Sequence, residues 1–250
     1  MFTTVGFSKS QDAASVFTSL TAVPDQHVTA ISDVIYIPEF APLIVGAYLA
    51  GRATALQAYF DAPSLRRVNK LYICPIQTGI IPSGAESFFM RMLSPLALEV
   101  GEGIKVYENS ATAAAAVVTC GLWLADKPLT PVAGEIFTVL ATAAITGVAS
   151  KWANGTLTFA DVLPVGTYAI VGAHCVHANG VLFRFVPVGA MHRPGGLVSA
   201  NIGAKGPESQ RYGGMGQWCT FHTTTPPSLD VLGVSTDAVQ TLHIDLMKVR

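Results

Sequence analysis

Apolar residues in this chain come in short runs rich in Val, Ile, Thr, Phe and Tyr, broken by Gly, Pro, Asn and Ser. The final run, Gln240-Thr-Leu-His-Ile-Asp-Leu-Met247, sets Leu242, Ile244 and Leu246 against Thr241, His243, Asp245 and Met247. A period of two predicts a half-buried strand. Ala115 to Leu124 is its counterpart in the first half of the chain. Strands are predicted over Leu43–Leu49, Ala55–Phe60, Thr167–Ala173 and Val181–Pro187. Ala50-Gly51-Arg52 separates the first two. His177-Ala178-Asn179-Gly180 separates the second two and carries Asn-Gly, a hairpin signal because a type I′ turn needs positive φ at both central residues. Asn154-Gly155 predicts another hairpin, between 148–153 and 156–160. Alanine content allows some helix at Asp12–Ser19 and Ala111–Ala116. Pro75–Glu86 and Gly203–Gly216 read as loops.

The pattern repeats. Val16-Phe17-Thr18 matches Ile136-Phe137-Thr138. Ile44-Val45-Gly46-Ala47 is identical to Ile170-Val171-Gly172-Ala173. Pro95-x-x-Leu98-Glu99-Val100 matches Pro226-x-x-Leu229-Asp230-Val231, and Thr119 to Leu124 matches Thr241 to Leu246. All four pairs run in the same order, spaced by about half the chain length. The arrangement predicts two like domains, 1–127 and 128–250, joined at Lys127-Pro128-Leu129-Thr130-Pro131, whose prolines suit an extended linker. About eight strands fit each half. The expected fold is therefore all-β, two tandem eight-stranded jelly-roll sandwiches.

Composition changes the picture in one respect. Charged residues are 12% of the 250 and hydrophobic ones 50%, against about 25% charged in ordinary soluble domains. Either a membrane or other subunits must cover that surface. Ala111–Ala125 and Ile136–Ala149 are too short and too rich in threonine for spanning helices, which need about 20 apolar residues. Large obligate interfaces explain the scarcity of charge better. Net charge is −1; the closest basic grouping, Arg66, Arg67 and Lys70, predicts no specific nucleic-acid binding. The opening Met-Phe-Thr-Thr-Val-Gly lacks a signal-peptide pattern. Cys74, Cys120, Cys175 and Cys219 form no C-x-x-C pair and read as small buried strand residues in a reducing cytosol.

Candidate chemistry is sparse. No phosphate-binding or nucleophile-elbow motif is present, and Gly213-Gly214-Met215-Gly216 precedes a strand, not a helix. His174-Cys175-Val176-His177 suggests a bicupin-type metal site, but residues i and i+3 of a strand point to opposite faces. His27, His192, His222 and His243 are isolated. Asp33, Glu39, Glu99, Glu102, Asp161 and Asp230 form no pair set for acid–base work; Asp33 and Asp161 suit turns. The expectation is no enzyme, no catalytic residue, no metal and no cofactor. A sugar-binding or adhesive sandwich using Trp152, Tyr212 and Trp218 is the first alternative, and a bicupin-type metalloenzyme the second.

With its doubled anchors, low charge, and the runs Leu163-Pro-Val-Gly-Thr-Tyr-Ala-Ile-Val-Gly, Phe183–Pro187, Arg193-Pro-Gly-Gly, Gly216-Gln-Trp and Leu242-His-Ile-Asp-Leu, the chain resembles the double jelly-roll major capsid proteins of tailless, often membrane-containing icosahedral bacteriophages. The resemblance implies a homotrimer whose six sandwiches form a pseudo-hexagonal capsomer. It further implies a virion location after synthesis in the host cytoplasm. The implied partners are other copies, further virion proteins such as a vertex protein, and an internal membrane in those members that have one.

Overall fold

A computed structural model describes residues 1–11, 16–51, 55–68, 71–73, 77–78, 90–110, 116–177, 180–199, 208–233 and 237–249. It is an all-β protein. In the N-terminal half the strands are β1 (Phe2–Gln11), β2 (Thr18–Ser19), β3 (Ala30–Ile31), β4 (Val34–Tyr36), β5 (Leu43–Gly51), β6 (Ala55–Asp61), β7 (Leu71–Ile73), β8 (Gln77–Thr78), β9 (Met90–Ala97), β10 (Gly103–Ser110) and β11 (Ala116–Ala125). The C-terminal half has β12 (Ile136–Thr146), β13 (Ala153–Thr156), β14 (Thr158–Phe159), β15 (Thr167–Val176), β16 (Gly180–Val186), β17 (Gly195–Ser199), β18 (Cys219–His222), β19 (Ser228–Gly233) and β20 (Asp237–Val249). Among the described residues, every strand pairing joins partners within one half, and residues 126–135 carry no strand.

The two halves trace one circuit. In the first, β1-β11-β5-β9 form one sheet and β2 and β4 flank β10-β6-β7 in the other. In the second, the orders are β12-β20-β15-β18 and β13-β19-β16-β17. Register makes the match residue-specific. Leu122 lies opposite both Val5 and Ala47; Ile244 lies opposite both Val139 and Ala173. Val45 is skipped between Ile44 and Gly46 where β5 pairs β11, and Val171 is skipped between Ile170 and Gly172 where β15 pairs β20. The same bulge thus recurs inside the identical Ile-Val-Gly-Ala strings. The end of β5 pairs parallel with β8, and the end of β15 pairs parallel with β17. The first half adds the β3–β4 hairpin between Ala22 and Leu43.

Several expectations change. The anchors at 44–47/170–173 and 119–124/241–246 occupy matching places. The other two do not. The counterpart of Ile136-Phe137-Thr138 is Phe2-Thr3-Thr4, since Val5 matches Val139, while Thr18 lies in β2. Leu96 matches Cys219, because they face Ile44 and Ile170, so Pro95–Val100 does not align with Pro226–Val231. Asn154-Gly155 is no turn; both lie within β13, opposite Asp230 and Leu229. Glycine is needed there because a Cβ would come within 2.6 Å of the Ala144 carbonyl oxygen. The tight turn is at Ala149–Ser150, with Ser150 at φ 59°. β15 and β16 do not pair with each other, and neither do β5 and β6; these connections pass from one sheet to the other. Residues 178–179 lie outside the described set. Thr18–Ser19 and Ala116 are strand, not helix, while 12–15 and 111–115 lie outside the described residues, as does most of 75–86.

Each half has its own core between its two sheets. Val5, Phe7, Ile44, Phe60, Val106, Leu122 and Leu124 belong to the first. Val139, Ile170, Phe183, Phe185, Trp218, Leu242 and Ile244 belong to the second. Cys120, Cys175 and Cys219 are buried and unbridged, and burial pushes all three thiols far up; Cys74 lies outside the described residues.

Candidate functional site

The largest polar and packing specialisation lies where the halves meet. Successive strand residues point to opposite faces. In β1 and β11 the residues facing away from the first core are Thr4, Gly6, Ser8, Thr119, Gly121 and Trp123, and all are buried. They are covered by β16, β17 and β19. A Cβ on Gly6 would stand 2.5 Å from Leu232, and one on Gly121 2.9 Å from Leu182. The opposed glycines therefore make a flat seat for two leucines. Trp123 passes from its own sheet into the second core, and its indole N–H donates to the Gly195 carbonyl at 2.8 Å. Phe2 packs edge-on against Trp218, with centroids 5.6 Å apart.

A buried ion network seals the edge of this contact. The Arg184 guanidinium donates to Asp230 at 2.9 Å, to Asp25 of the first half, and to the Thr4 carbonyl at 3.2 Å. It lies 4.1 Å from the centroid of the Trp152 ring. Arg184 and Asp25 are each only 4% exposed. A buried charge left alone is costly, so the three must stay together. Burial opposes ionisation of Asp25, but Arg184 and the backbone N–H groups of His27 and Val28 outweigh it, and its pKa falls below the ordinary carboxylate value. Asn154 Nδ2 completes the shell by donating to Asp230 at 2.8 Å. The Thr4 N–H donates to the Arg193 carbonyl, and the Arg193 N–H to Thr3 Oγ1.

The corresponding faces on the other side of each half are open. On this face of β12 and β20, Thr138, Leu140, Ala144 and Val239 are exposed, with Thr241 and His243 half-buried. Only part of this face is covered: the 208–216 segment lies over β15, with Arg211 donating twice to Asp245, at 2.6 and 2.8 Å, and the Tyr212 N–H donating to the same carboxylate. Asp245, expected on the polar side of an alternating strand, is thereby fully buried. On β2, β4, β6 and β10 of the first half, Tyr59 stacks on Tyr107 at 5.1 Å and meets Phe17 edge-on at 5.0 Å. Tyr36 and Ile31 are exposed nearby, and Lys105 pairs with Asp33 at 3.0 Å.

The residues singled out for chemistry are dispersed. His174 Nε2 lies 2.9 Å from Ser199 Oγ and its ring stacks on His243 at 6.1 Å; burial, then Arg211 and His243, lower its pKa. His177 follows the end of β15 and has its pKa lowered by burial. Among the described residues no three His, Cys, Asp or Glu side chains converge as a metal group would need. Asp33 sits in a turn beside Ser32 at φ 56°, and Asp161 in a bend. Gly213 and Gly216 take positive φ and press against the linker carbonyls of Val132 and Thr130, so this cluster holds the linker. Trp218 is buried, Trp152 lies under Arg184, and Tyr212 is exposed beside Arg211; the three make no common platform. The side chains of Arg66, Arg67 and Lys70 lie outside the described set. A cavity of about 370 Å³ opens between Phe2, Lys127, Leu129, Val132 and Met215. No described helix is long and apolar enough to cross a membrane. Set against family models, curated proteins and solved structures, the chain matches none.

The junction between the halves was not legible beforehand as a site. Its one signal was the alternation of glycine with threonine or serine on β1 and β11.

Proposed function

We propose that this chain is the repeating structural subunit of an icosahedral virion shell. In this reading each half is an eight-stranded jelly roll, and three chains form a pseudo-hexagonal capsomer from six similar sandwiches. The observation that carries it is the same strand circuit traced twice, down to the repeated bulge at Val45 and Val171. The strand orders β1-β11-β5-β9 over β2-β10-β6-β7, and their repeat, are those an eight-stranded jelly roll would have. Doubling lets a three-fold assembly present near-six-fold edges, and closed symmetry buries repeated apolar patches. Low charge and open apolar faces on both halves suit a protein completed by its own copies. Vertex proteins and, in a membrane-containing virion, a lipid layer would be its further partners. The work of such a chain is architectural, with no catalytic step. Negative-stain electron micrographs of the expressed protein test this. Hexagonal plates or closed shells are expected, and single small particles at all concentrations would overturn it.

A further inference from the structure

Within one chain, the outer face of the β1-β11-β5 sheet of the first half meets the outer face of the β16-β19 sheet of the second. The contact is between unlike faces. It uses one face of each kind and leaves one of each kind over: β12-β20-β15 on the C-terminal half and β2/β4-β10-β6 on the N-terminal half.

We propose that these two leftover faces dock on one another between copies, head to tail, in the manner of the internal junction. The inference rests on the shell-subunit reading and adds the residues that make the contact.

Burial supports it. β1 is buried on both faces from Phe2 to Ser8, whereas β12 alternates buried and exposed. β16 and β19 are almost wholly buried, whereas β10 alternates. One contact within the chain accounts for both buried members, and the two alternating members lack its equivalent. The exposed apolar residues fall where such a contact requires them: Leu140 at the place of Gly6, and Val239 near the start of β20. Across from them would stand Ile31, Tyr36 and the Phe17–Tyr59–Tyr107 cluster. The edge of β12 points the same way. At the place of Thr4, whose N–H and carbonyl are both taken by the second half, Thr138 has no such backbone partner among the described residues. A second copy would supply that partner.

Unlike faces also explain why copies would not pair through the surfaces of the internal junction. Gly6 and Gly121 make a seat for Leu182 and Leu232, but their counterparts are Leu140 and His243, which fill that space. The leftover pair needs its own complementarity, and its aromatic cluster is built differently from the Arg184 network.

Two variants test the assignment: Leu140→Glu on the C-terminal face and Tyr107→Glu on the N-terminal face. Val239→Glu and Ile31→Glu serve as alternates on more exposed positions should either fail to fold by circular dichroism. An unpaired charge in the contact weakens it on the order of a hundredfold or more. By sedimentation velocity the wild type is expected as a trimer and each variant alone as a monomer. A one-to-one mixture retains one intact unlike-face contact, so it should form pairs that stop at two copies. A wild-type trimer whose variants keep its mass, or a variant that dimerises alone, or a mixture that stays monomeric, would overturn the face assignment while leaving the shell reading standing. A monomeric wild type would overturn both.

Discussion

β1 and β12 occupy the same place in their halves and have opposite surroundings. β1 carries Thr3, Thr4 and Gly6 in full burial; β12 carries Phe137, Thr138 and Leu140 in the open. Ordinary hydropathy would assign the burial the other way. The threonines and glycine of β1 are buried because another sheet lies on them, and polar or small residues are what a flat sheet-on-sheet contact tolerates. On β12, Leu140 faces outward and is exposed. The two halves share one strand circuit and differ in what covers their outer faces.

The sharpest way to break the comparison is through the Arg184 ion network of the internal junction. Arg184→Met leaves Asp25 and Asp230 buried without their cation. Removing one partner of a buried pair costs about 3–5 kcal/mol, to be read as a lowered chemical-denaturation midpoint at fixed protein concentration. The glycine seat comes next. Gly6→Val forces a side chain against Leu232 and should cost about 1–3 kcal/mol as overpacking. Leu140→Ala, at the matching place on the open face, should shift the midpoint of the isolated chain by about 0.5 kcal/mol or less. Equal effects at the two places would remove the distinction between them. Trp123→Phe keeps most of the ring packing but strands the Gly195 carbonyl, a loss of about 1 kcal/mol.

The smallest effect is a pH dependence. Burial lowers the pKa values of His174, His177 and His192 from the ordinary 6.5, with Arg211 and His243 adding to it at His174. The folded chain then takes up these protons less readily than the unfolded chain. Stability is full above about pH 6.5 and declines as pH falls through the depressed values. Asp25, lowered from 3.8, adds a second loss only below that pH, as it is protonated away from Arg184. Melting temperatures across pH 3 to 8 should fall in these two stages, and His174→Gln should shrink the first.

Much of the fold was legible because strands declare themselves by period. β20 alternates as read except at Asp245, and the identical Ile-Val-Gly-Ala strings mark matching bulges. The turn signals misled where glycine serves a different need. Gly155 is in a strand to let the Ala144 carbonyl approach, and the strands on either side of residues 178–179, β15 and β16, do not pair with each other. Short apolar strings near 16 and 95 matched by composition without sharing a place in the circuit. Asp245 escaped because its burial depends on the 208–216 segment folding back over β15, a long-range event that no local pattern encodes. The junction escaped for the same reason: Asp25, Arg184 and Asp230 are far apart in the chain and meet only when both halves are built. The low charge predicts a need for cover, but it does not say which faces would need it.

The central claim is that a single copy is incomplete and that sister copies cover its open faces. The native mass of the purified protein at micromolar concentration, measured by light scattering, tests it most directly. A mass three times the 26.2 kDa of the chain, or larger assemblies built of such units, is predicted. A stable particle with the mass of one chain would contradict it.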